Sequence, residues 1–372
     1  MKTLQANINE ALFSNSGINV NHTASNIGLE IWKEHLSVED WDTGTSIDIE
    51  YGLNDQGYVI IIPKKRLYTI HLFINNWDSS VYCPLDLSNL PKNIVIDFEN
   101  FKADNFKGMF TDSSSTKSAE IYITDAKNIK DFEGLECLKI TELEIVGSQI
   151  DSFNFLSGSS FTRKLELTLC KCKIHSFNGF PKLSGAVDIR ECEIDNISGV
   201  SIISQDYITI MSCVLQNGIQ NTTIQGRNVN LGGNIKSLNG TTIIAQEYVS
   251  IYSNKRDSNS VVNLAGCNVK ASHLKLCGFK FENCKALPKL DKYEFFDDEI
   301  QSFEGLPQTI KYLVIRDCHV NLKTLDWNTI PIVTECFIWY DNSNTGRNKQ
   351  KASQNFKDFI INNKCKGHKN IQ

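Results

Sequence analysis

Twelve cysteines, seven histidines and 43 acidic residues are the side chains of this 372-residue chain that could carry chemistry, and their spacing decides which chemistry is open. A zinc site needs Cys or His in close pairs, and neither a CxxC pair nor a Cys/His cluster of ligand spacing occurs. Cys170 and Cys172 stand two apart, which on a strand places them on one face. Several cysteines fall at one point of a repeating pattern, so they read as small buried thiols in a reducing compartment rather than a disulfide framework. There is no G-x-S-x-G elbow, no H-E-x-x-H and no EF-hand loop. Leu231-Gly232-Gly233-Asn234 lies inside a repeat and reads as a turn, not a nucleotide loop. Asp297-Asp298-Glu299 could attract a cation, yet Asp298 also occupies a turn position; His175 and His319 adjoin turns and read as solvent-facing. No catalytic residue, metal or cofactor is expected.

The elements that must position these residues come from an internal repeat. Apolar pairs spaced i, i+2 recur as Ile121/Ile123, Leu143/Ile145, Leu167/Leu169, Val187/Ile189, Ile208/Ile210, Val229/Leu231, Val249/Ile251, Leu274/Leu276, Tyr293/Phe295, Leu313/Ile315 and Cys336/Ile338. From Ile123 to Ile338 is 215 residues in ten steps, a mean period of 21.5. Three residues after the second anchor stands a small or polar side chain: Ser148, Cys172, Cys192, Cys213, Asn234, Asn254, Asp298, Cys318 or Asp341. An aromatic or aliphatic residue followed by x-Gly comes later, as in Phe132-Glu133-Gly134-Leu135 and Phe303-Glu304-Gly305-Leu306-Pro307. These features describe a solenoid. A short strand points two side chains inward, the chain bends where inward-facing backbone groups need a partner, and glycine permits the return turn. Stacked coils then share one core.

The spacing resembles the leucine-rich repeat, most closely at Ile140-Leu143-Ile145-Ser148-Ile150, Leu290-Tyr293-Phe295-Asp298-Ile300 and Ile310-Leu313-Ile315-Cys318-Val320. The Asn/Thr-rich repeats from about Ser204 to Gly266 also fit a parallel β-helix. The resemblance implies an α+β repeat solenoid with a leucine-rich-repeat-like parallel sheet of about 11–13 coils over residues 67–341. Weaker coils are expected at Ile70–Ile74, Leu85–Pro91 and Ile94–Phe98, with a longer loop or short helix over Phe101–Lys117. Residues 13–66 do not repeat and read as an α+β cap, with a helix over Asn26–Leu36 and a hairpin of Ser46–Leu53 with Tyr58–Ile62. In residues 342–372, Ser353 is placed to cap a short helix through Phe356, Phe359 and Ile360, with the rest a solvated basic tail.

Charge narrows the function classes. The net charge of −5 divides into +6 on 342–372 (seven basic residues and Asp358) and therefore −11 on the remainder. Nucleic acid is thus not an expected partner, except for weak contact through the basic tail. No run approaches the ~18 apolar residues that span a bilayer, so no membrane partner is expected.

A solenoid glycosidase or lyase would cluster carboxylates on the strand face. The outward positions between the anchors are Tyr122, Glu144, Thr168, Asp188, Thr209, Asn230, Ser250, Lys275, Glu294 and Val314, and no two neighbouring coils both place a carboxylate there. The next outward row holds Arg190, Met211, Tyr252, Phe296, Arg316 and Trp339, a set rich in the residue types of interface hot spots. It reads either as a protein-binding surface or as side chains covered by a loop or the tail. Two functions stay open: a non-enzymatic protein-binding repeat protein, and a carbohydrate-binding or carbohydrate-degrading β-solenoid.

The N-terminus, residues 1–12, lacks a secretory apolar core. Met1-Lys2-Thr3-Leu4-Gln5-Ala6-Asn7-Ile8-Asn9-Glu10-Ala11 resembles the targeting peptide of internal head proteins of T-even-type tailed phages. Ile8, Glu10 and Ala11 match the Ile/Leu-x-Glu processing pattern of such phages, which implies cleavage between Glu10 and Ala11. The same residues also read as an ordinary amphipathic helix. Ser302-Phe303-Glu304-Gly305-Leu306-Pro307 is similar to a repeat motif of uncharacterised proteins of large phages, crAss-like ones included. The resemblance implies a location in the host bacterial cytoplasm or the virion.

Overall fold

In the computed structural model the chain is a mostly-strand parallel β-solenoid of about 11 coils, with 9% of residues helical. The structure describes residues 20–78, 83–154, 161–215, 218–235, 237–253, 264, 266–340 and 353–371. Ile8, Glu10, Ala11, Asn254, Asp341 and the basic residues Arg347, Lys349 and Lys351 lie outside the described residues. The chain divides into two units, residues 1–181 and 182–372. Among the described residues no helix is long and apolar enough to cross a membrane.

The first unit begins with helix Val20–His35. The expected helix is thus present but starts earlier, and Leu36 opens a strand instead of ending the helix. Its anchor is Trp32, fully buried, with its ring 4.5 Å from that of Trp77 and its Nε1 donating to the Cys83 carbonyl at 3.0 Å. Strand Leu36–Asp40 runs antiparallel to Thr69–Asn75. Ile49–Leu53 and Val59–Pro63 form the expected hairpin, whose turn is held by Asn54 Oδ1 accepting from the Gln56 and Tyr58 amides. Parallel strands then follow in register: Thr69–Asn75, Asn93–Glu99, Ser118–Thr124, Lys139–Val146 and Phe161–Cys170. The loop after Phe101 contains a single 3-10 turn, Asp112–Thr116. On the far side of the coils Phe106, Phe132, Phe153 and Phe177 form a ring ladder with centroid separations of 6.2, 5.8 and 5.2 Å.

The second unit repeats the plan through Val187–Arg190, Tyr207–Leu215, Thr223–Asn234, Thr242–Ser253, His273–Cys277, Lys292–Phe296, Thr309–Arg316 and Ile332–Tyr340. The Asn/Thr-rich coils contain the longest strands, 12 residues each. Buried Thr222 and Thr241 each donate to a carbonyl of the preceding coil, Ile197 and Ile219, at 2.8 Å. Ser353 Oγ accepts from the Phe356 amide at 3.3 Å and caps helix Gln354–Phe359, which buries Phe356 and leads into Ile360. The tail departs from expectation: His368–Ile371 is a parallel strand beside Ile332–Tyr340, because its backbone completes that strand's open edge.

Each bend is built by two consecutive residues. The first has positive φ: 53° at Asn100, 55° at Asp125, 63° at Gly147 and 54° at Lys171 in one unit, and 54° at Glu191, 56° at Ser212 and 52° at Asp297 in the other. The second is the small or polar position of the repeat in most coils, whereas buried Phe101 and Phe279 stand there after Asn100 and Gly278. Cys172 Sγ donates to the Cys170 carbonyl at 3.3 Å and the Ile145 carbonyl at 3.2 Å. Cys213 does the same to Met211 and Ile189, at 3.3 and 3.6 Å. These thiols therefore work as buried donors, and none of the 12 cysteines forms a disulfide. Asp298 is the acidic version of this position. It is fully buried, with Oδ1 accepting from the Phe279 amide at 2.6 Å and Oδ2 from the Phe296 amide at 3.1 Å. Asp298→Ala strands both amides and is expected to cost about 2–4 kcal/mol in urea unfolding; a loss below about 1 kcal/mol would refute this bend role.

Candidate interaction surface

Alternation along each parallel strand sends side chains at positions i, i+2 and i+4 to one face, and the register stacks them into rows. In the second unit three outward rows result. Tyr207, Asn228, Tyr248 and His273 pair in succession in the first, which also contains Lys292 and its partner Tyr312. Asp188, Thr209, Asn230, Ser250, Lys275, Glu294 and Val314 form the second. The third holds five of the six residues singled out from the sequence. Arg190 pairs with Met211, and further along Tyr252, Cys277, Phe296, Arg316 and Tyr340 pair in succession.

Within that third row the side chains differ in availability. Arg190 is exposed, with Nε donating to Asp188 Oδ1 at 2.7 Å. Met211 and Tyr252 are half-buried and flank Gly232, where an added Cβ would lie 2.7 Å from the Met211 sulfur and 3.0 Å from the Tyr252 Cβ. Phe296 is 43% exposed. Arg316 Nε stands 3.9 Å from Glu294 Oε1. Trp339 does not belong to the surface: it is 5% exposed. The expected inward pair Cys336/Ile338 is replaced by Phe337 and Trp339, which pair with Leu313 and Ile315. A register shift between Ile310 and Tyr312 inserts one residue into the last long strand, and a one-residue slip exchanges the two faces.

The sequence reading missed the first row. Its signal was present, since these are the residues immediately before each first anchor. Here Lys275 Nζ lies 4.5 Å from the Tyr248 ring centroid and Lys292 Nζ 4.4 Å from that of Tyr312. His273 Nε2 stands 3.8 Å from Glu294 Oε2. Burial lowers the His273 pKa, and Lys275 and Lys292 push the same way against Glu294, so the ring is neutral at pH 7.

The first unit presents a different face. Its outward row before the first anchor runs Glu39, His71, Val95, Glu120, Glu142 and Glu166 in direct register. The middle row adds Asp97, Tyr122 and Glu144, and the third adds Glu99. Neighbouring coils thus do juxtapose carboxylates, in a row adjacent to the one first considered. Partial burial, then Glu120, Glu166 and Glu144, raise the Glu142 pKa; burial and Glu99 raise that of Asp97. Tyr122 is pushed up to about 12 by burial and by the surrounding acids. Among the described residues no group of three or more His, Cys, Asp or Glu converges to hold a metal ion.

Fold and surface together define a parallel β-solenoid whose strand face carries half-buried and exposed side chains in both units, with Val95, Thr209 and Ser250 buried among them. Comparison with protein families, curated proteins and solved structures returns no match, so the functional reading rests on this chain's own residues.

Proposed function

We propose that the protein is a non-enzymatic binding protein that takes a protein partner on the strand face of the 182–372 unit. The supporting observation is the set of partly exposed aromatics, Tyr207, Tyr248, Tyr252, Phe296 and Tyr312, interleaved with Arg190, Lys275, Lys292 and Arg316 on one sheet face. Large, stiff, amphipathic side chains on a rigid sheet lose little entropy on docking and dominate interface energy. The same aromatics would stack on sugar rings, which is the carbohydrate reading. Capture from bacterial lysate with the full chain and with a Phe296→Ala/Arg316→Ala variant separates the two. The variant is expected to lose about tenfold of the captured protein with its melting temperature unchanged. Equal capture by both proteins, or release of reducing sugar from bacterial polysaccharide, would overturn the reading.

The kinship with leucine-rich repeats is part of this proposal and rests on the three close motif matches. A phage origin, with packaging in the virion or action in the host cytoplasm, rests on the Ile8–Ala11 pattern and the Ser302–Pro307 motif. Mass spectrometry of protein from mature particles is expected to find an N-terminus at Ala11; an intact Met1 terminus would remove the processing claim.

A further inference from the structure

We infer that the strand face of the 1–181 unit is a binding site for an extended cationic protein segment rich in Lys and Arg. This is a separate proposal from the aromatic face and does not rest on it. Three outward rows on six successive strands hold seven carboxylates: Glu39, Asp97, Glu99, Glu120, Glu142, Glu144 and Glu166. Across the described strands no Lys or Arg occupies these rows, and none of the six glutamates has a hydrogen-bond or ion-pair partner among the described residues. Like charges directly opposite one another on a sheet destabilise it. Nothing among the described side chains of this face offsets the repulsion, which a basic ligand would relieve.

A second observation points to the same ligand. His71 lies in the glutamate row, is 9% exposed, and its Nε2 has no hydrogen-bond partner. That nitrogen stands 4.0 Å from Asp97 Oδ2, too far for a hydrogen bond, and the imidazole centroid lies 5.0 Å from that of Trp41 and 3.7 Å from that of Phe73. A buried polar atom without a partner is costly, and this one is aimed at a carboxylate. An ammonium or guanidinium set to one side of the line joining the two, about 2.8 Å from each, would donate to both. Trp41, 45% exposed, adds a ring face for the same cation.

The geometry also selects the form of the cation. A metal ion needs several ligands at one point, and no such group exists among the described residues. The glutamates are instead strung out at the strand spacing of about 4.8 Å, with Glu142 and Glu144 about 6.8 Å apart along their strand. The run from Glu39 to Glu166 crosses five such spacings, roughly 24 Å. That distribution matches successive basic side chains of one segment. It would act mainly by steering and register, with strong salt dependence.

The test is calorimetric titration of the full chain with a synthetic peptide of eight alternating Lys and Arg residues, with an eight-residue Glu peptide as control. Binding of the basic peptide only is expected, weakened at least about tenfold between low and physiological salt. Glu120→Gln/Glu142→Gln/Glu166→Gln is expected to weaken it about tenfold, with the melting temperature unchanged or raised. Asp55→Asn/Asp112→Asn/Asp151→Asn removes the same charge elsewhere and is expected to leave affinity unchanged. His71→Phe is expected to weaken binding several-fold while the protein stays folded. Equal losses in the two charge-removal variants would reduce the effect to diffuse attraction and overturn the site. So would an absence of peptide binding, or a reducing-sugar activity abolished by Glu142→Gln.

Discussion

Trp339→Ala is expected to destabilise the 182–372 unit by about 3–5 kcal/mol, whereas Arg316→Ala, on the neighbouring coil, changes stability by no more than about 0.5 kcal/mol. The two residues share an expected place in the outward row, and the structure separates them. The Trp339 ring is buried, 4.8 Å from the Phe356 ring in an edge contact. Phe356 in turn lies 5.4 Å from Trp327, so one indole joins the last long strand to the helix that follows it. Truncation leaves a cavity walled by Phe337 and Phe356, and the helix keeps only its contacts with Trp327 among the ring contacts described. Urea unfolding measures the difference, and limited proteolysis after Ser353 should accelerate in the tryptophan variant alone. A loss below about 1 kcal/mol would show that the ring is dispensable and return it to the surface reading.

Gly134→Ala is expected to cost more than about 3 kcal/mol, against about 1 kcal/mol for Gly199→Ala. Both glycines follow the aromatic-or-aliphatic-x-Gly pattern and both have positive φ, 102° and 76°. Their surroundings differ. A Cβ on Gly134 would lie 2.1 Å from the Phe106 carbonyl oxygen and 2.5 Å from the Lys107 amide nitrogen. These are backbone atoms, and the Phe106 amide donates to the Glu133 carbonyl at 2.8 Å, so the coil cannot yield without breaking that bond. A Cβ on Gly199 would meet nothing within 4 Å. The difference between the two variants in thermal unfolding isolates steric approach from backbone conformation. Equal losses would mean that φ alone explains the motif. Gly305, with φ 107° and a Cβ position 2.4 Å from the Lys285 amide nitrogen, repeats the Gly134 arrangement, which accounts for the recurrence of Phe-Glu-Gly-Leu.

The solenoid was legible in the sequence because inward pairs and bend residues recur at fixed offsets. The spacing of three from the second anchor marks Cys172, Cys213 and Asp298 as bend residues, and their hydrogen bonds explain why small donors or acceptors stand there. What escaped has specific causes. The burial of Trp339 depends on a one-residue bulge, and bulges leave no mark on local alternation. The glutamate row stands one residue before the anchor pairs, outside the alternation that defines them, and a register shift between Ala119 and Glu120 breaks the spacing there. The positive-φ position was half legible. Asn100, Asp125, Gly147 and Asp297 are residue types that tolerate it, whereas Lys171 and Glu191 are not, and the coil forces them into it. The strand His368–Ile371 is too short and too polar to announce itself.

At Asp125, Gly147, Lys171, Glu191, Ser212, Gly233, Gly278, Asp297 and Asp317 the left-handed residue follows the second inward anchor at a distance of two, although the repeat itself varies in length. Anchor pair and bend therefore behave as one cassette, and variation in coil length falls outside it, in the return path and at the bulges that precede the anchors. Insertions and deletions accepted by this chain should map there and leave the face it presents in phase. The architecture can thus change one side of its surface in evolution, or under a designer's hand, while the register of the opposite side stays fixed.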